Sequence, residues 1–121
     1  MQSAAHAYGT IAKKVASPRE LESNLLLTAA SRLQVVRDGW NRTQPQLNDA
    51  LLYNRQLWTI FVDSVASDDN ALSVDIRQNI ANLGLFVFHH TVSVLANPQP
   101  ERLTPLIDIN RELAAGLRSS A

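Results

Sequence analysis

The sequence predicts an all-α fold: a small bundle of four longer helices preceded by a short N-terminal helix. Apolar residues recur three and four positions apart along most of the chain, which is the spacing of amphipathic helices. The period-two alternation that is typical of half-buried strands is lacking. A length of 121 residues suits one domain with its own core. We therefore expect a single helical domain, residues 1–121.

Composition narrows the possible functions. The chain has no cysteine, which excludes disulfides and thiolate ligands. Its 11 basic and 11 acidic residues balance, whereas a nucleic-acid-binding protein needs a basic surface, so direct nucleic-acid binding is not expected. The first residues do not have the basic start and apolar core of a secretory signal. These observations predict a cytoplasmic location.

The chain begins with a short, marginal helical pattern. Its apolar stripe consists of Ala4, Ala5, Tyr8, Ile11 or Ala12, and Val15. Gly9 lies in the middle and weakens the helix. A segment of this length must dock on something to stay folded.

A second helix is predicted from Pro18 to about Arg37. Ser17 can cap it, Pro18 suits the first helical position, and Glu20 can reach back to the Ser17 N–H. Its apolar stripe comprises Leu21, Leu25, Ala29, Leu33 and Val36, with Trp40 as a possible extension. Residues 39–45 are expected to form a polar linker.

The next helix is predicted from Gln46 to about Ala66. Its main apolar stripe comprises Leu47, Leu51, Trp58, Phe61, Val62 and Val65. A second strip flanks it and comprises Ala50, Tyr53, Leu57 and Ile60. The polar residues 67–70 then form a loop, and Ser73 can cap the helix that follows.

The segment from Ile76 to Leu95 is apolar on two faces. At about 100° per residue, one face carries Ile76, Ile80, Leu83, Val87 and Val94, and the other carries Ala81, Leu85, Phe88 and Val92. A helix of this kind is expected to lie between other helices, so we predict that it is the central helix of the bundle. Its polar residues Arg77, Gln78, Asn79 and Asn82 argue against a membrane span.

The prolines at positions 98 and 100 end that helix. The last helix is predicted to begin between Glu101 and Pro105, most favourably with Thr104 as its cap. Its apolar face comprises Leu103, Leu106, Leu113, Ala114 and Leu117.

Three asparagines lie at or beside apolar faces: Asn54, Asn79 and Asn110. A buried amide is costly unless it is hydrogen-bonded. We interpret the three as a structural polar network that fixes helix register; a polar functional site inside the bundle is the alternative.

No catalytic or metal-binding pattern is present. His89 and His90 are adjacent, so a rigid helix points them about 100° apart and they cannot chelate one ion. Nucleophile elbows, glycine-rich phosphate loops and clustered carboxylates are missing. We expect a protein that is not an enzyme and has no cofactor or metal.

Three aromatic residues are candidates for contacting a partner protein. Trp40 lies at a helix end, Phe88 lies on the second face of the doubly apolar helix, and Tyr8 lies in the marginal first helix. Aromatic residues at such spacings usually lie in the core, whereas an exposed aromatic residue can anchor a partner protein.

Three blocks of the chain resemble the FlaF family of bacterial flagellar-biosynthesis regulators. They are LLYNRQLWTIF at residues 51–61, IRQNIANLGLFV at residues 76–87 and INRELAAGL at residues 109–117. The residues around Ser17–Glu20 and Val36–Trp40 are also similar to the family. Pro105 departs from the pattern, which puts the start of the last helix in question.

The resemblance implies a cytoplasmic, non-catalytic protein that acts with flagellin, the subunit of the filament. Family members are associated with flagellin production and export, alongside the regulator FlbT. Both a regulatory role and a role as a flagellin-secretion chaperone are proposed within the family. A small helical bundle can shield an amphipathic helix in an apolar groove, so we predict a chaperone-like protein that binds a terminal amphipathic helix of flagellin. The alternative is a post-transcriptional regulator acting with FlbT or on flagellin mRNA. The resemblance assigns no binding residues.

Overall fold

A computed structural model describes residues 18–119, which form an all-α bundle. Its long helices are α1 (Pro18–Asp38), α2 (Leu47–Val65), α3 (Val74–Ala96) and α4 (Thr104–Ser119). The described residues contain no strand. The predicted fold class is confirmed for this part of the chain. The predicted N-terminal helix, with Tyr8, and the Ser17 cap lie outside the described residues.

The polar connection between α1 and α2 is folded into short helical turns, which the sequence analysis did not predict. The chain forms one turn of α-helix, Trp40–Thr43, and then one turn of 3₁₀-helix, Gln44–Gln46. The Gly39 carbonyl accepts hydrogen bonds from the backbone N–H groups at positions 42 and 43. The Thr43 hydroxyl donates to the Val36 carbonyl at 2.8 Å. These bonds satisfy the backbone groups that a helix end leaves open.

Local signals set the ends of the last two helices. Ser73 caps α3, as predicted, because its hydroxyl accepts from the backbone N–H of Ile76 at 3.3 Å. A 3₁₀ turn, Pro100–Leu103, leads into α4. The Thr104 hydroxyl accepts a hydrogen bond from Arg37 at 3.2 Å. This bond connects the end of α1 to the start of α4.

Helix α1 packs most extensively against α4, and the two helices are antiparallel. The Ser23 hydroxyl donates to the Ala114 carbonyl at 2.8 Å near one end. Arg111 donates to Gln34 farther along. Because Ser23 is fully buried, its bond to the Ala114 carbonyl satisfies a hydroxyl that has lost contact with water.

The core is shared by all four long helices. Its largest fully buried side chain is Trp58 of α2. The other fully buried apolar residues include Leu26, Leu33, Val36, Leu51, Val87, Val94, Leu103, Leu106 and Ile107. Truncating one of these large residues to alanine typically costs about 2–5 kcal/mol.

Helix α3 is not the central helix, contrary to the prediction from its two apolar faces. It packs mainly against α2, whereas α1 contacts both α2 and α4 extensively. Several large apolar side chains of α3 are exposed, among them Leu85 and Val92. The sequence pattern showed two apolar faces correctly, but in the described part of the chain only one of them is covered.

Candidate partner-binding surface

One face of α3 forms part of the core. Ile80, Gly84, Val87, Thr91 and Val94 are buried, and they follow one another at intervals of three and four. The Thr91 hydroxyl donates to the Val87 carbonyl at 2.7 Å, so its burial leaves no unpaired donor. We call these five residues the core face.

Gly84 allows α3 to approach α2 closely. A Cβ atom at this position would lie 2.3 Å from the Cγ2 atom of Val62, far inside van der Waals contact. Because glycine lacks that atom, the two helices approach without a clash. The sequence offered only a weak signal for this role, a glycine inside a helical pattern.

The opposite side of α3 carries a second apolar row, which we call the outer face. It consists of Val74, Ala81, Leu85, Phe88, Val92 and Leu95. The exposed fractions are 68% for Val74, 59% for Leu85, 66% for Val92 and 49% for Leu95. Ala81 and Phe88 are half-buried and pack against the edge of the core.

The outer face has the spacing of a coiled-coil seam. From Ala81 to Leu95 its residues follow at intervals of four, three, four and three, and Val74 lies seven positions before Ala81. Apolar residues that repeat every 3.5 positions on average pack against another helix by inserting into its surface. The arrangement can therefore accept an amphipathic helix along most of the length of α3.

The outer face is uncharged from Ala81 to Leu95. The helix carries no Asp, Glu, Lys or Arg from Gln78 to Ala96. Binding on this stretch therefore relies on apolar contact, and the stretch offers no cations to a nucleic-acid backbone. An exposed apolar row of this length is typical of an interaction site.

Within the described residues, α3 is the one helix whose length and mean hydropathy, 1.2, match a membrane span. The match concerns length and composition alone. Core helices of soluble proteins can match in the same way.

The three aromatic candidates have different positions. Phe88 lies on the outer face. Trp40 lies on a different element, the helical turn after α1, and is half-buried against the core. Tyr8 lies outside the described residues. Leu85 and Val92 were predicted to belong to the second apolar face of α3, but not to contact a partner. Their heptad spacing was the available signal.

Two of the three asparagines form a buried pair. Asn110 donates to the side-chain oxygen of Asn54 at 2.6 Å. The Asn110 oxygen accepts from Trp58 Nε1 at 2.9 Å. All three side chains are fully buried, so the bonds join α2 to α4 inside the core. The Nδ2 atom of Asn54 has no partner in the described structure.

Asn79 does not belong to this pair, so its expected place in a buried network is wrong. Its side chain is exposed on α3. Asn79 borders the apolar stripe without lying at its centre, and it lines an open groove between α3 and α4. Water can satisfy its amide there.

The histidines also have separate environments. The Nε2 atom of His90 donates to the Arg102 carbonyl at 2.6 Å, and its ring stacks on Phe86 with centroids 5.3 Å apart. His89 is exposed. Residues 18–119 contain no group of three His, Asp or Glu side chains placed to hold a metal ion.

Comparison with known proteins identifies one family. The family model described as "Flagellar protein FlaF" matches residues 4–117, which is nearly the whole chain. No curated protein and no solved structure matches the sequence.

Proposed function

Since the chain belongs to the FlaF family of flagellar proteins, we propose that it binds flagellin in the cytoplasm through the outer face of α3. The occupant of that face is one of flagellin's terminal amphipathic helices. The protein acts as a chaperone-like regulator of flagellin production and export, without catalysis and without a cofactor.

The observation that supports this proposal is the exposed heptad row on α3. Exposed Leu85, Val92 and Leu95 flank Phe88, which is held at the edge of the core. A partner helix covers such a row with residues spaced at i, i+3, i+4 and i+7. Phe88 is held in place before binding, so its ordering adds little to the entropic cost of association.

A flagellin terminus suits this surface chemically. Such a segment has one apolar face that needs protection from water before export. The outer face supplies apolar contact without charge, so it protects the segment without requiring complementary charges. Direct binding to flagellin mRNA is not favoured, because Arg and Lys are absent from this part of α3.

The proposal is tested by calorimetric titration of the two terminal segments of flagellin, separately, into the full chain. We expect one segment to bind with roughly one-to-one stoichiometry and a negative change in heat capacity, the sign of apolar burial. Raising the salt concentration is expected to change the affinity little, because the outer face is uncharged.

Three further binding measurements distinguish the proposal from its alternatives. Binding to flagellin mRNA with steep salt dependence would support the post-transcriptional alternative instead. Flagellin capture only in the presence of FlbT would assign the contact to FlbT. Binding of neutral phospholipid vesicles, with no heat from either flagellin segment, would make the outer face a membrane surface and contradict the proposal.

A further inference from the structure

The outer face of α3 is complementary to itself. From Ala81 to Leu95 it is an apolar row with heptad spacing and without charge. Its exposed members Leu85 and Val92 lie about one helical turn before and after Phe88. Reversing the direction of the row therefore brings apolar residues onto apolar residues along most of its length. A two-fold symmetric dimer requires this property, because both copies contribute the same surface.

Charge does not oppose the pairing of two copies. Helix α3 has no Asp, Glu, Lys or Arg from Gln78 to Ala96, so no such side chains of like charge meet across that stretch. The whole chain has 11 basic and 11 acidic residues, so two copies repel each other little at long range. The surface therefore has the chemistry of a contact between two copies of this chain.

We infer that the outer faces of two copies pack together as an antiparallel helix pair, and that this dimer covers the face until flagellin binds. An antiparallel arrangement places the positive N-terminal end of each α3 beside the negative C-terminal end of the other. It also separates the two copies of Asp75, which a parallel arrangement would bring to the same level.

The register follows from the length of the helix. Both helices stay covered over most of their length when the pair is centred between Leu85 and Phe88, near the middle of α3. Leu85 of one copy then packs against Phe88 of the other, and Ala81 packs against Val92. Small and large apolar side chains therefore alternate across the contact.

The pairing is expected to be weak, because the contact is small. The row from Val74 to Leu95 is about 32 Å long and about 10 Å wide, given the rise and diameter of a helix. Each copy contributes on the order of 400 Å², so the total lies below the roughly 1,000 Å² that stable interfaces exceed. Such a dimer forms at hundreds of micromolar, roughly, and dissociates at low micromolar concentrations.

A weak dimer suits a binding face that must be released. A second copy and a flagellin helix require the same side chains, Leu85, Phe88 and Val92, so binding of one excludes the other. In the absence of flagellin, the dimer keeps this apolar row away from water and from non-specific contacts. The release of the dimer by flagellin rests on the proposed function, whereas the pairing of the two copies does not.

Sedimentation equilibrium of the full chain without flagellin, from about 5 to 500 µM, measures the pairing. We expect the average mass to rise from 13.4 kDa towards twice that value. Val92→Asp places a carboxylate from each copy in the contact and is expected to weaken the pairing roughly tenfold or more. Val35→Asp is the matched control, because Val35 is 56% exposed on α1 and Val92 is 66% exposed on α3. We expect the control to behave as the wild type.

A mass of 13.4 kDa at every concentration would overturn the pairing. Equal weakening by the two variants, or no weakening by Val92→Asp, would overturn it as well. These samples contain no flagellin, so their outcomes leave the proposed function standing. Adding the flagellin segment is expected to give complexes of one chain with one segment, and a complex that keeps two chains would contradict release. If neither segment binds, release fails together with the proposed function, and the mass curve still decides the pairing.

The absence of cysteine from the chain allows a test of the orientation. Asn82→Cys and His89→Cys each introduce one thiol at an exposed position beside the row. The antiparallel register brings Asn82 of one copy near His89 of the other. Under mild oxidation, we therefore expect several-fold more disulfide-linked dimer from a mixture of the two variants than from either variant alone. A yield from one variant alone that equals or exceeds that of the mixture would overturn the antiparallel arrangement.

Discussion

The core face and the outer face of α3 have similar apolar composition but opposite environments. On the core face, Val87 and Val94 are fully buried. On the outer face, Val92 is 66% exposed only two residues before Val94. An apolar pattern therefore identifies surfaces that require a partner, whereas packing decides whether the partner lies in the same chain.

We expect the largest difference in stability between the two faces when aspartate replaces one valine on each face. Val87→Asp places an unpaired carboxylate in the core, and we expect a loss of about 4 kcal/mol or more, enough to unfold a small domain. Val92→Asp leaves the charge in water and is expected to change the free energy of unfolding by less than about 0.5 kcal/mol. Urea unfolding followed by circular dichroism measures both. Equal losses would show that the outer face is also covered in the free protein.

The buried amide pair provides the next largest effect. Asn110→Ala removes the acceptor of Trp58 Nε1 and the donor to Asn54, which leaves two buried polar atoms unpaired. We expect a loss of about 2–4 kcal/mol, measured by urea unfolding. Asn79→Ala is the control, and it is expected to stay within about 0.5 kcal/mol of the wild type because Asn79 is exposed. A large loss for the Asn79 variant would place it in a buried contact after all.

A substitution at Gly84 tests the close approach of α3 to α2 on the core face. Gly84→Ala directs a methyl group into Val62, and we expect a destabilisation of about 1–3 kcal/mol despite the better helix propensity of alanine. Val62→Ala makes room for that methyl group. The double variant should therefore be more stable than the sum of the two single changes predicts, in a double-mutant cycle from thermal or urea unfolding. Strict additivity would contradict the contact.

Helix positions were readily predicted from the sequence because their signals are local. Pro18 marked the start of α1, Ser73 capped α3, and the prolines at positions 98 and 100 separated α3 from α4. The helical turns at residues 40–46 were not predicted, because they depend on bonds to nearby backbone carbonyls, including that of Val36. Residue type alone does not reveal those bonds.

The candidate surface was only partly predictable, because burial depends on which helices are neighbours. The heptad spacing of Leu85, Phe88 and Val92 was visible, but the pattern could not show that α3 lies at the edge of the bundle. Predicting the hydrogen bond between Asn54 and Asn110 requires knowledge of how α2 and α4 are aligned along their length. Asn79 has the same side chain but borders an open groove between α3 and α4.

The core face of α3 supports the fold, and we propose that the outer face supports binding. The most direct measurement is the affinity of the Leu85→Ala/Val92→Ala double variant for the flagellin segment, by calorimetry, beside its urea unfolding. Because both side chains are exposed, we expect stability within about 0.5 kcal/mol of the wild type and affinity weakened roughly tenfold or more. Unchanged affinity in the folded variant would contradict the claim and assign flagellin binding to another surface.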